Sequence, residues 1–162
     1  VAAVALEATV RAALPDAGAL RIKWPNDLLL GGAKLSGILL ERIEEWVVIG
    51  FGVNVTNHPD LADRAATSLH AAGATIDAAA LQGELAATLA HWHARWREEG
   101  LGPVAERWRE RAHAPGSELR ARLPDGSEWH GRFETLDRGG ALVLRLADGS
   151  RRVMHAGDIF LL

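Results

Sequence analysis

The sequence predicts an α+β fold, with helices packed on strands and a small antiparallel β-barrel at the end. Three observations predict it. Val1, Val4, Leu6, Val10 and Leu14, with alanines between them, are apolar almost all round, as a buried helix requires. Leu81, Leu85, Leu89, Trp92 and Trp96 recur at three- and four-residue spacing, the signature of a long helix. After His113-Ala114-Pro115-Gly116, short strand-like runs are separated by Pro124-Asp125-Gly126, by residues 137–140 and by Ala147-Asp148-Gly149. Aspartate–glycine turns at that spacing imply a barrel.

The first helix ends where Pro15 and Gly18 interrupt the backbone. Leu20, Ile22 and Trp24 alternate with Arg21 and Lys23, a half-buried strand that stops at Pro25, which cannot donate to a ladder. Residues 28–30 form a short strand, Gly31-Gly32 make a tight hairpin, and the return strand covers about 34–41 with a break at Gly37. Trp46-Val47-Val48-Ile49 is a continuous apolar run, which predicts a strand buried on both faces, leading into Gly50-Phe51-Gly52-Val53-Asn54. Residues 58–67 read as a loop or short helix. Asp77 caps the long helix, Gly100 and Gly102 stop it, and Pro103 opens another that carries Val104 and Trp108. Trp92, Trp96 and Trp108 are expected in a core. Barrel strands fall near 119–123, 129–134, 141–146 and 151–155. The boundary lies near 113–116, giving units 1–113 and 114–162.

The chain has 162 residues, 48% apolar and 24% charged, which suits one domain or a larger one with a small appendage. A formal net charge of −3 gives no general pull toward nucleic acid or an anionic membrane. The absence of cysteine excludes disulfides and thiolate metal sites. No apolar run reaches the ~18–20 residues of a membrane helix. The chain starts at Val1, without an N-cap and without a basic leader, so the expectation is a domain whose upstream residues once covered the first helix.

Lys23-Trp24-Pro25-Asn26-Asp27 places an amide and a carboxylate at a proline-stiffened strand end. Oxygen donors of this kind can help hold Mg²⁺ on phosphate oxygens, though a plain turn uses the same residues. Lys34 follows a glycine pair and precedes Gly37. There it can neutralise charge developing on a phosphate, and Gly37 lets a substrate approach the backbone; a solvated hairpin lysine is the plain alternative. Gly50-Phe51-Gly52-Val53-Asn54 follows a strand, but Val55 stands where a dinucleotide fingerprint needs its third glycine, so a Rossmann site is rejected. A glycine corner approaching a ligand, with Asn54 as polar contact, stays open beside a strand-end turn. The seven histidines show no metal-ligand spacing. No Gly-x-Ser-x-Gly elbow or P-loop occurs.

Three segments in series, Lys-Trp-Pro-Asn-Asp at 23–27, Lys-Leu-Ser-Gly-Ile-Leu at 34–39 and Val-Ile-Gly-Phe-Gly-Val-Asn at 48–54, resemble the catalytic domain of biotin–protein ligases. Weaker matches are Ala66-Thr67-Ser68-Leu69, the Trp108 helix, Gly140-Ala141-Leu142-Val143 and Ala156-Gly157-Asp158-Ile159. The resemblance implies a mixed sheet packed with helices, class II synthetase-like and truncated at its N-terminal side, followed by an SH3-like barrel. It implies that biotin and ATP form biotinyl-5′-AMP, with Mg²⁺, and that a lysine of a biotin carboxyl carrier protein then takes the biotin. By resemblance Lys34 and Asp27 are catalytic: Lys34 contacts biotin and the α-phosphate, and Asp27 orients or deprotonates the carrier lysine. Lys23 and Trp24 belong to the same binding motif. Asn26 and Asn54 lie near phosphate and Mg²⁺; Gly37, Ile38 and Leu39 line the biotinyl and adenylate groups; Gly50, Gly52 and Val53 face the nucleotide. A cytoplasmic protein, with pairing through the central sheet, is implied as well. The family's glycine/arginine-rich adenylate loop lies upstream of Val1, so a wall without its lid is expected, weakly active or inactive alone. A non-catalytic relative and a lipoate–protein ligase are the alternatives; Trp24-Pro25 favours biotin.

Overall fold

Helix α1, Ala2–Ala13, is buried over most of its surface in a computed structural model that describes residues 1–60, 62 and 64–162. Val4, Ala5, Leu6 and Val10 enter the core, as the all-round apolar pattern requires. Helices α2, Ala78–Glu99, and α3, Gly102–Arg111, pack against α1. Asp77 caps α2, its carboxylate accepting the Ala80 N–H at 2.8 Å. Leu81, Leu85 and Trp92 face inward, but Trp96 is exposed, edge-on to His93. Fifteen residues past Leu81 the helix has turned about 60° off the buried stripe.

Strands β1 (Leu20–Lys23), β2 (Asp27–Leu30), β3 (Ala33–Ile43) and β4 (Trp46–Val53) form an antiparallel meander in the order β1-β2-β3-β4. Among the described residues the parallel part of the expected mixed sheet consists of two isolated bridges, Ile22 with Ala112 and Lys34 with Ala66. Gly31 and Gly32 take φ of 58° and 83° in the tight hairpin. In the return strand Lys34 pairs with Leu29 and Ser36 with Leu28, leaving Leu35 as a bulge. The extra residue shifts the alternation by one. Lys34 and Gly37, three apart, therefore serve the same face, while Leu35 is fully buried.

The run 46–49 is a strand but not a buried one: Trp46 is 76% exposed, Val47 59% and Val48 50%. The helices pack on β1 and β2, and the outer half of the β3–β4 hairpin extends beyond them with Leu39, Leu40 and Ile43 also exposed. An apolar run reports what a strand can bury, not what lies across from it. The stretch 58–67, read as loop or short helix, contains Leu61 and Asp63, which lie outside the described residues; its other residues form no helix.

The second sheet holds β5 (Glu118–Arg122), β6 (Glu128–Leu136), β7 (Leu142–Arg145), β8 (Arg151–Met154) and β9 (Asp158–Leu161), antiparallel in the order β8-β7-β6-β5-β9. Sequence patterning found four of these and missed β9, which pairs with β5. Leu119, Phe133, Leu142, Leu144, Met154 and Ile159 fill its core. Several contacts join it to the first sheet and its helices. Trp24 donates Nε1–H to the Gly140 carbonyl at 3.2 Å, and Trp108 and His113 meet Phe133 edge-on. Among the described residues no helix is long and apolar enough to cross a membrane.

Candidate active site

A cleft of about 640 Å³ opens where the β1–β2 corner, the glycine faces of β3 and β4, and the start of β9 meet. Its polar floor is an alternating chain of charges. Lys34 Nζ lies 2.7 Å from Asp27 Oδ1 and Lys23 Nζ lies 3.6 Å from Asp27 Oδ2. Lys23 Nζ in turn donates to Asp158 Oδ1 at 2.9 Å. Asp27 and Lys23 are buried, whereas the Lys34 side chain remains 30% exposed toward the cleft. Of the two lysines, Lys34 is the one that opens onto the cleft.

The corner that presents these groups is fixed by backbone chemistry. Asn26 Nδ2 donates to the Ile38 carbonyl at 2.7 Å, and the Ile38 N–H donates to the Asn26 carbonyl at 2.8 Å. A methyl at Gly37 would sit 3.3 Å from Asp27 Oδ1 and 3.4 Å from Lys34 Nζ, so only a hydrogen leaves that ion pair undisturbed. At Gly50 and Gly52 a methyl would meet ordinary contacts only. Their lack of side chains leaves an open backbone surface over which a flat ligand can lie.

Of the residues expected from sequence, Asn26, Asp27, Lys34, Gly37, Ile38, Leu39, Gly50 and Gly52 line this cleft. Lys23 stands behind Asp27, and Trp24 is in the core. Val53 pairs with Ser36, and Asn54 is a stitch: its Nδ2 donates to Thr67 O at 2.9 Å and to Lys34 O at 3.4 Å, binding the 65–69 loop to β3. Arg64, Gly157 and Asp158 also line the cleft without having been singled out. Asp158 carried a faint signal, since it lies in one of the weaker matching segments; Arg64 carried none.

Among the described residues no group of three or more histidines and carboxylates could hold a metal ion. Asn26 and Asn54 do not meet in the cleft. The donors present suit a cation carried in on phosphate oxygens better than a resident one.

Near Lys23, His113 is buried with neither ring nitrogen hydrogen-bonded. Burial, and then the charges of Lys23 and Arg21, lower its pKa to about 4, so the ring is neutral at pH 7.

A family model described as "Biotin/lipoate A/B protein ligase family" matches residues 1–110, and one described as "Biotin protein ligase C terminal domain" matches residues 116–162. A biotin--[acetyl-CoA-carboxylase] ligase of Paracoccus denitrificans is 37% identical over 99% of this chain and 70% of its own length. The enzyme of that name from Mycobacterium tuberculosis is 37% identical over 85% of this chain, and the match spans about half, 52%, of that relative. Among solved structures, Aquifex aeolicus biotin protein ligase in complex with biotin and ATP superposes with a TM-score of 0.84 at 18% identity, covering 100% of this chain and 69% of that one. At that identity the likeness speaks for the fold.

Proposed function

Because this chain belongs to the biotin/lipoate A/B protein ligase family and carries the biotin protein ligase C-terminal domain, we propose that its cleft serves ATP-dependent ligation of biotin to protein. Biotin's carboxylate oxygen attacks the α-phosphorus of ATP, pyrophosphate leaves, and biotinyl-5′-AMP forms. The amine of a lysine on a biotin carboxyl carrier protein then attacks the acyl carbon, loses a proton, and AMP leaves. The observation that carries this reading is the half-open Lys34 ammonium, 2.7 Å from a buried carboxylate and beside bare glycine backbone.

Each residue has work suited to its place. Lys34 offsets negative charge on the carboxylate and on the α-phosphate as the bond forms. Asp27 holds Lys34 in position and later accepts from the incoming amine. Asn26, whose Nδ2 is held by the Ile38 carbonyl, would offer its side-chain oxygen to the phosphates and the Mg²⁺ that ATP brings. Gly37, Ile38 and Leu39 bed the biotinyl and adenylate groups; Gly50 and Gly52 let the nucleotide lie flat. Lys23, Trp24, Val53 and Asn54 support these from behind. The units divide at 113/114, the protein works in the cytoplasm, and two copies pair through the central sheet.

The test is transfer of labelled biotin to a carrier domain by the full protein that bears this sequence, with ATP and Mg²⁺, in the presence of competing lipoate. ATP-dependent labelling that lipoate leaves intact is expected. Preference for lipoate would move the assignment to the other branch of the same family, and binding of biotinyl-5′-AMP without turnover would make the chain a non-catalytic relative.

A further inference from the structure

We infer that Asp158, at the start of β9, is a positioning residue of the cleft: it anchors Lys23 so that Asp27 is left to hold Lys34. The inference rests on the ligase reading for its kinetic part and on geometry for the rest. Lys23 carries a buried ammonium, and a buried charge must be paired. Its nearer partner is Asp158, at 2.9 Å; Asp27 stands off at 3.6 Å. Asp27 meanwhile lies 2.7 Å from Lys34. On the barrel side Arg120 and Arg122 also stack on Phe160, the ring that Lys23 faces, and the carboxylate near them, Glu128, pairs with those two arginines rather than with Lys23. Asp158 thus supplies the anion on that side. Without its charge, Lys23 is drawn onto Asp27, whose carboxylate then swings between two ammoniums and loosens from Lys34. The second sheet accordingly sets the geometry of a reaction whose reacting groups lie on the first.

The experiment compares Asp158→Asn, Asp158→Glu and Lys23→Met, with the Lys23→Met/Asp158→Asn double variant, in the full protein that bears this sequence. Pyrophosphate release with biotin and ATP falls about 10- to 100-fold in Asp158→Asn, as misplacement by about an ångström does elsewhere. Asp158→Glu recovers most of the rate. In the Lys23→Met background Asp158→Asn adds less than about twofold, the non-additivity of residues acting through one another. Wild-type rates for Asp158→Asn, or equal losses in both backgrounds, overturn the inference. Side-chain NMR of labelled lysines in the 162-residue chain reads the coupling without catalysis. Asp158→Asn must move the Lys34 Nζ resonance as well as that of Lys23; movement of Lys23 alone overturns it. Asp158→Ser repeats both arms should the Asn variant not fold. If the wild-type protein releases no pyrophosphate, the ligase reading fails and the NMR arm decides the inference by itself.

Discussion

Two buried carboxylates, Glu7 and Asp27, are each held by basic side chains, and they differ in what lies above them. Glu7 is fully buried in α1, with Arg11 Nε at 2.5 Å, Arg107 Nη2 at 3.4 Å and Arg111 Nε at 3.9 Å. Its arginines come from its own helix and from α3, and their stems close over it, leaving Glu7 locked in a clamp between helices. Asp27 has Lys34 and Lys23 instead, and Lys34 opens onto a cleft. Planar guanidinium groups suit a permanent clamp, whereas a compact ammonium with a partly open face can hand its charge to a ligand. The same pairing of acid and base is thus structure in one place and potential chemistry in the other, and access decides which.

The sharpest way to break this contrast is to remove each acid or its base and ask whether stability or rate responds. Glu7→Ala leaves three half-buried arginines without their shared anion and is expected to cost about 3 kcal/mol in urea unfolding, the lower end for breaking a buried pair. A cost under ~1 kcal/mol would remove the clamp from the account. Lys34→Ala is expected to lower adenylate formation by about 10²–10³-fold, the loss typical when one charge-stabilising donor is removed. Its stability cost should be about 1–2 kcal/mol, more than the ~0.5 expected of an exposed lysine, because its partner is buried. His113 sharpens the comparison from a third side. A folded pKa of about 4 against an unfolded ~6.5 means that stability is complete above about pH 6.5 and is lost as pH falls from there toward about 4. The loss should approach ~3 kcal/mol, and His113→Leu should flatten that slope while costing little at pH 7, since no hydrogen bond is given up. The smallest effect expected is for Gly37→Ala, whose methyl presses on the Lys34–Asp27 pair: about a tenfold fall in rate with stability nearly unchanged. Equal rates would show that the pair has slack.

What sequence could and could not reveal follows the same line. The β2–β3 hairpin at Gly31-Gly32, the Asp77 cap and the proline-opened α3 rest on local chemistry and were legible. So were the lysine, asparagine and glycine positions of the cleft, which lie in three short segments. Glu7 was not, although its i, i+4 spacing to Arg11 was a signal; Arg107 and Arg111 lie about a hundred residues away, and only folding brings them together. The pairing of Asp158 with Lys23, 135 residues away, was hidden for the same reason. The exposed run 46–49 failed differently. Its strand character is local, but burial belongs to whatever packs across the sheet.

The joint between the two sheets has a thermodynamic consequence. The Trp24–Gly140 hydrogen bond, the Lys23–Asp158 pair and the contacts of Trp108 and His113 with Phe133 all tie the first sheet and its helices to the second. Two sheets whose apolar residues belong to one continuous core lose their independence: neither can melt while the other keeps its partners. Heating should therefore give one calorimetric peak, with calorimetric and van't Hoff enthalpies in agreement, and not two staggered ones.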